Sequence, residues 1–269
     1  MKVQDKRFVI TGAGGGIGSA LVKELLGRGA RVAAVDLNGE SLQKLIESVG
    51  DDAARLSTHA VNITDREAVA ALPQAVEAAH GAVDGVINNA GIIQPFVKVA
   101  DLEFDAIERV MSVNFYGTLN MIKAFLPALQ QRPEAHLVNV SSMGGFLPVP
   151  GQSVYGASKA AVKLLSEGLY AELRGTNVHV TTVFPGATET NITANSHVST
   201  PGGDDAKQSA KSFKMLPPSE AAKQIIDAVE KNKPQVFTGK DSKAMNRLYR
   251  LMPVRATNII ARKMQSLLK

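Results

Sequence analysis

Cysteine is absent from this 269-residue chain. That excludes disulfides and thiolate metal sites. The five histidines are scattered without metal-ligand spacing, so no metal is expected. No apolar run approaches the ~20 residues needed to cross a bilayer. Signal-peptide features are also missing, because Met1-Lys2 leads almost directly into the strand-like run Arg7–Ile10. Neither an internal repeat nor a low-complexity segment occurs. A soluble cytoplasmic protein is expected. What the chain does have is apolar residues, 45% of the total, ample for a substantial core.

Short apolar runs alternate with amphipathic stretches, the pattern of βαβ units around a parallel sheet. Strands are expected near 7–11, 31–35, 56–61, 84–88, 136–141, 178–183 and 235–238. Helices are expected over roughly 17–28, 40–49, 65–80, 103–130, 153–174 and 218–231. No linker breaks the alternation before about residue 190, which favours one domain over residues 1–239.

The most informative stretch runs from Ser141 to Ala160. Tyr155 and Lys159 lie four apart in a helix-like segment, so both project from one face. An ammonium beside a phenol favours the phenolate, which would make Tyr155 an acid/base near neutral pH. Ser142, thirteen residues upstream of Tyr155, sits at the C-terminal tip of an expected strand. Alone, Tyr-x-x-x-Lys is a common exposed helix pair. With this serine and the motifs below, the chain resembles the short-chain dehydrogenase/reductases. The resemblance implies that Tyr155 passes the substrate proton and that Lys159 holds the nicotinamide ribose and tunes Tyr155. It also implies that Ser142 bonds the substrate oxygen.

The remaining motifs follow in order. Strand one runs into Thr11-Gly-Ala-Gly-Gly-Gly-Ile-Gly18, where Gly12, Gly16 and Gly18 fit the family's turn. Glycine is needed because the backbone must approach a pyrophosphate, met by N–H groups at a helix start; Gly14 and Ile17 belong to the same turn. Asp36, 18 residues beyond Gly18, ends strand two. A carboxylate there can accept from ribose hydroxyls and would repel a 2′-phosphate. Leu37 follows and no Arg or Lys interrupts the glycine turn, so NAD is favoured over NADP. After strand three, Asn62-Ile63 stands where the family usually has Asp contacting the adenine amino group. Asn88-Asn89-Ala90-Gly91 matches the family's Asn-Asn-Ala-Gly, whose small residues let backbone run beside the cofactor. Asn114 matches a mid-helix Asn credited with bending the helix and supporting a proton relay. The residue itself reads as a surface position. Pro185, Gly186, Thr188 and Thr190 match Pro-Gly-x-x-x-Thr, with Thr190 expected to bond the nicotinamide carboxamide.

The resemblance covers about residues 6–190. It implies an α/β doubly wound Rossmann fold: a parallel seven-stranded sheet, order 3-2-1-4-5-6-7, with helices on both faces. The implied activity is NAD-dependent interconversion of a secondary alcohol and a ketone. A non-catalytic NAD-binding scaffold or sensor, and an NAD-assisted dehydratase or epimerase, stand as alternatives. Residues 191–216 are polar and aperiodic and are expected to form a substrate lid. Ile93, Met143, Phe146, Val149, Gln152 and Met215 are expected pocket walls. Their apolar bias points to a moderately hydrophobic or lipid-like substrate. The family's habit of pairing its long helices implies a homodimer or homotetramer.

Charge is unevenly placed. From Lys207 onward, fourteen Lys and Arg face four Asp and Glu, so residues 1–206 carry −5 of the overall +5. Residues 240–269 read as two basic amphipathic helices, the second starting at Pro253. Met245, Leu248, Tyr249, Met252, Ala256, Ile259, Ile260, Met264 and Leu267 recur at helical spacing. Three uses stay open: packing on this or a neighbouring subunit, a peripheral membrane contact through 243–269, or a flap beside the substrate entrance. Nucleic acid is not expected, since no aromatic stacking cluster accompanies the basic residues.

Overall fold

The computed structural model describes residues 1–190, 192–196, 198 and 215–264. Seven strands form one parallel sheet: β1 Arg7–Thr11, β2 Arg31–Asp36, β3 Leu56–Ala60, β4 Gly85–Asn88, β5 Ala135–Val140, β6 Val178–Pro185 and β7 Gln235–Thr238. Their spatial order is β3-β2-β1-β4-β5-β6-β7, as expected from the sequence. Each strand begins and ends within two residues of its expected bounds.

Both faces of the sheet are covered, which is why its central strands are apolar almost throughout. Side chains still sort by the two-residue period of a strand. Phe8, Ile10, Val32, Ala34, Ile87, Val138 and Val183 point to one core. There they meet helices α1, Gly16–Gly27, and α8, Pro218–Glu230. Val9, Ala33, Val35, Val86, Leu137 and Val180 point to the other. That core is closed by α3, Arg66–His80, α5, Thr118–Gln130, and α6, Ser153–Glu172.

Starts of the helices on the sheet's β2–β3 side are capped by side chains. Asn38 accepts from Ser41 N–H ahead of α2, Gly39–Val49. Asp65 accepts from the Glu67 and Ala68 N–H groups ahead of α3. Each satisfies amides that a helix start leaves without intrahelical partners.

The single helix expected over 103–130 is interrupted. An α-helical piece, α4 Phe104–Met111, passes into a π-helical turn, Ser112–Gly117, before α5 begins. The widened turn holds Asn114 inward and fully buried, so the surface reading of that side chain is overturned. A short α7, Ile192–Asn195, lies beyond β6. Most of the lid expectation, 191–216, falls outside the described residues.

Beyond β7 the chain turns directly into α9, Gly239–Leu251, and then α10, which begins at Pro253 and ends at Lys263. Leu267, expected to continue the apolar stripe, lies outside the described residues. Among the described residues no helix is long and apolar enough to cross a membrane.

Candidate active site

A cleft of about 640 Å³ opens along the C-terminal ends of the strands. In an open parallel sheet this is where ligands bind, because the loops diverge there. All eighteen residues singled out for cofactor binding line it, from Gly12, Gly14, Gly16, Ile17 and Gly18 to Pro185, Gly186, Thr188 and Thr190.

Two positions show most sharply why this turn needs glycine. Gly12 has φ +65°, and a Cβ on it would stand 2.8 Å from Ala90 Cα. A Cβ on Gly18 would collide with the Gly12 carbonyl. The turn is also tied to β4. Asn89 Nδ2 donates to the Thr11 and Gly12 carbonyls at 3.0 and 3.2 Å. The Thr11 hydroxyl accepts from the Asn89 and Ala90 N–H groups, both at 3.1 Å. Thr11 was not singled out from the sequence, although its place before Gly12 was visible.

Asp36 closes one end of the cleft. Its carboxylate accepts from Gly14 N–H at 2.9 Å and Asn38 N–H at 3.0 Å, which leaves lone pairs toward the cleft. Leu37 beside it is 71% exposed. Asn62 Oδ1 accepts from both the backbone N–H and the hydroxyl of Thr64. The amide is therefore turned back on its own loop. Ile63 is buried beside Gly117.

At the other end, Ser142, Tyr155 and Lys159 line the wall, while Thr190 stands against Gly16 of the glycine turn. The Ser142 hydroxyl accepts from Gly144 N–H at 3.0 Å and faces the Tyr155 phenol. Burial raises the phenol above its ordinary value, and the Ser142 hydroxyl acts the other way. The sequence led us to expect that Lys159 would lower it. Instead Lys159 Nζ donates to the Val140 carbonyl at 3.0 Å, and burial pulls its own pKa down to about 8. Among the described residues no carboxylate pairs with it.

Asn114 stands one layer behind this wall. Its Oδ1 accepts from Ile92 N–H, and its Nδ2 donates to the Ile92 carbonyl and the Ser158 hydroxyl, each at 2.9 Å. A Cβ on Gly91 would lie 2.9 Å from Lys159 Nζ and 3.2 Å from Asn114 Oδ1, so Gly91 is the gap between them.

One group that holds Tyr155 in place carried no sequence signal. Gln94, fully buried, accepts on Oε1 from the Val154 and Tyr155 N–H groups at 2.8 and 2.9 Å. It thus caps α6 from a different loop. Its Nε2 donates to the Gly151 carbonyl, and Gln152 Nε2 donates to the Gln94 carbonyl. Ser141 adds a second tie, donating to the Lys159 carbonyl at 2.7 Å.

The six expected substrate contacts are not brought to the cleft wall. Ile93 and Gln152 are buried around the Gln94 clamp. Phe146 packs edge-on against Phe184 and Phe237 and reaches Tyr249 of α9 at 6.3 Å between centroids. Met143 and Val149 are half-buried outside the cleft lining, and Met215 is 38% exposed. Ile92, Ile192, Ala194 and Asn195 take the cleft-facing positions instead.

The residues fit a dinucleotide. A glycine cradle that side chains would fill, a carboxylate at one end and an unpaired buried cation at the other suit a bound nucleotide's pyrophosphate and sugar hydroxyls. The short chain dehydrogenase family model matches residues 6–199. A curated relative, the putative oxidoreductase SadH of Mycobacterium tuberculosis, is 38% identical over 93% of this chain and 91% of its own length. A short chain dehydrogenase/reductase from Burkholderia phymatum in complex with NAD superimposes with a TM-score of 0.85 at 25% identity, covering 93% of this chain and 95% of that one. A short chain dehydrogenase from Burkholderia cenocepacia in complex with NADP gives 0.80 at 27%, covering 97% and 99%.

Proposed function

This chain belongs to the short-chain dehydrogenase/reductase family and is an oxidoreductase, and from that premise we propose that it interconverts a secondary alcohol and a ketone with NAD. The observation that carries the proposal is the meeting of Ser142, Tyr155 and a buried, unpaired Lys159 at one end of a dinucleotide-sized cleft. When bound, the nicotinamide supplies the hydride acceptor or donor.

The chain's own residues do the rest. Ser142 donates to the substrate oxygen and holds the carbon to which that oxygen is attached in reach of the nicotinamide. Tyr155 carries the proton: it gives it to the oxygen of a ketone and takes it from that of an alcohol. A phenol raised by burial is protonated at neutral pH, which suits donation. Alcohol oxidation should therefore quicken as pH rises. Lys159 offers a cation to sugar hydroxyls, and Asn114 holds the Ile92 backbone and Ser158 behind it. The substrate is read as moderately hydrophobic, because Ile92, Ile192 and Ala194 face the cleft.

The preference for NAD rests on Asp36 and on charge. Lys159 is the single cation among the described lining residues, and it lies at the far end from Asp36. A 2′-phosphate beside Asp36 would meet a carboxylate and no partner.

A screen of aliphatic, steroid-like and polyol alcohols at 340 nm, with either dinucleotide, tests these points. Tyr155→Phe should lose about 10²–10⁴-fold in turnover while still binding NAD. Turnover retained by that variant would sink the mechanism. Asp36→Ala should narrow the gap between the two dinucleotides, and a wild type that prefers NADP would refute the cofactor reading.

We also propose a homo-oligomer formed through α4, α5 and α6. Phe104 of α4, Leu164 and Tyr170 of α6, and Tyr116 of the π turn that leads into α5 are 78%, 70%, 45% and 48% exposed, an apolar surface unusual for a free monomer.

A further inference from the structure

α10 rests on α9, and of its residues only Ala256 is fully buried. Between the two helices the chain reads Arg250-Leu-Met-Pro-Val-Arg255, and every one of these residues is exposed. Leu251 is 79% exposed and Val254 71%, the most open aliphatic side chains of this region. Four apolar residues thus form the tip of a helical hairpin, bracketed by two arginines. Lys243, Arg247, Arg262 and Lys263 are exposed behind them. None of these six cations has a carboxylate partner among the described residues. The one acid between Gly239 and Met264 is Asp241, which faces inward and accepts from Ala187 N–H at 2.7 Å.

We propose that this hairpin docks the enzyme on an anionic lipid surface, with Leu251, Met252 and Val254 entering the acyl boundary and the cations meeting headgroup phosphates. Two observations favour lipid over a protein partner. An apolar tip four residues long is far smaller than the ~800 Å² per side of a stable protein interface, but it suits burial about 5–10 Å deep at a bilayer surface. Charge also runs one way. The hairpin is basic while residues 1–206 carry −5, so an anionic surface attracts the tip and repels the body. The hairpin is not a loose appendage. Ser242 donates to the Phe184 carbonyl at 2.9 Å, and Asp241 holds the loop that carries Thr188 and Thr190.

The test is co-sedimentation of the full chain with phosphatidylcholine vesicles, with and without about 30% phosphatidylglycerol. We expect partitioning about tenfold or more higher on the anionic vesicles, falling as salt is raised. A Leu251→Glu/Val254→Glu variant and an Arg250→Glu/Arg255→Glu variant should each lose it. Both should bind dinucleotide as the parent does, which reports an intact fold. Three results would each overturn the proposal: no sedimentation with either vesicle, binding unchanged in the tip variant, or a tip variant that sediments in buffer as a smaller species than the parent. The last would assign the tip to a second copy of the chain.

Discussion

The two ends of the sheet bury charge in opposite ways. At the N-terminal ends of the strands, Asp84 is fully buried and surrounded. Arg132 donates two bonds to its Oδ1, at 3.0 and 2.8 Å. Arg7 N–H donates to Oδ2, and the Arg7 guanidinium and Lys6 stand at 3.6 and 3.9 Å. At the C-terminal ends, Lys159 is 3% exposed and has one carbonyl for company. A buried charge matched on all sides holds elements together, here β1, β4 and the end of α5. A buried charge left unmatched costs the folded protein stability, and it persists where a ligand completes it.

The largest effect expected from this contrast is at Asp84. Asp84→Ala leaves the Arg7 amide and Arg132 without their acceptor, and should cost about 3–5 kcal/mol in urea unfolding, with little change in dinucleotide affinity. A variant that loses affinity but not stability would erase the distinction.

Lys159→Met should act in the reverse sense. The ammonium is disfavoured in the fold, with a pKa of about 8 against 10.5 unfolded. Between those values the unfolded chain binds more protons, so this group makes stability rise with pH. At neutral pH its removal should stabilise the ligand-free protein by roughly 2 kcal/mol, after allowing for the lost bond to Val140. The gain should fade as pH approaches 10.5. Turnover should collapse in the same variant. Equal wild-type and variant stabilities across that window would mean that Lys159 is not strained.

The smallest effect is at Gln94, which is buried, uncharged and fully partnered. Gln94→Ala should cost about 1 kcal/mol of stability and lower kcat about tenfold, leaving KM for NAD unchanged. Gln94→Glu keeps the acceptor for Val154 and Tyr155 and should recover much of the rate. An alanine variant with unaltered kcat would reduce Gln94 to a packing residue.

How much of this the sequence disclosed depended on whether the signal was local. Strands announced themselves through apolar runs bounded by turns, and their order followed from a resemblance carried by short motifs. The cleft lining was legible for the same reason, since most of its segments immediately follow a strand; Val113 in the π turn and Tyr155 and Lys159 in α6 are exceptions. Gln94 was hidden because its partners, Val154 and Tyr155, are some sixty residues away and no spacing records them. Asn114 was misread because an amide within a helix ordinarily faces water, and only the π turn reverses that. The apolar residues near Tyr155 misled in another way. Phe146 is claimed by Phe184, Phe237 and Tyr249, a cluster assembled from three distant parts of the chain.

The π turn at Ser112–Gly117 has a consequence for how the gene can change. A π turn is one residue longer than the α turn it replaces. Deleting a single codon within it would let the ladder close as ordinary helix. The helices on either side would keep their inward faces, so Val110 and Met121 would stay in the core. Only the inward throw of Asn114 would vanish. At this one place the reading frame of the fold and the reading frame of the cleft are separable, and a one-residue gap would leave a stable protein with Lys159 deprived of the wall behind it.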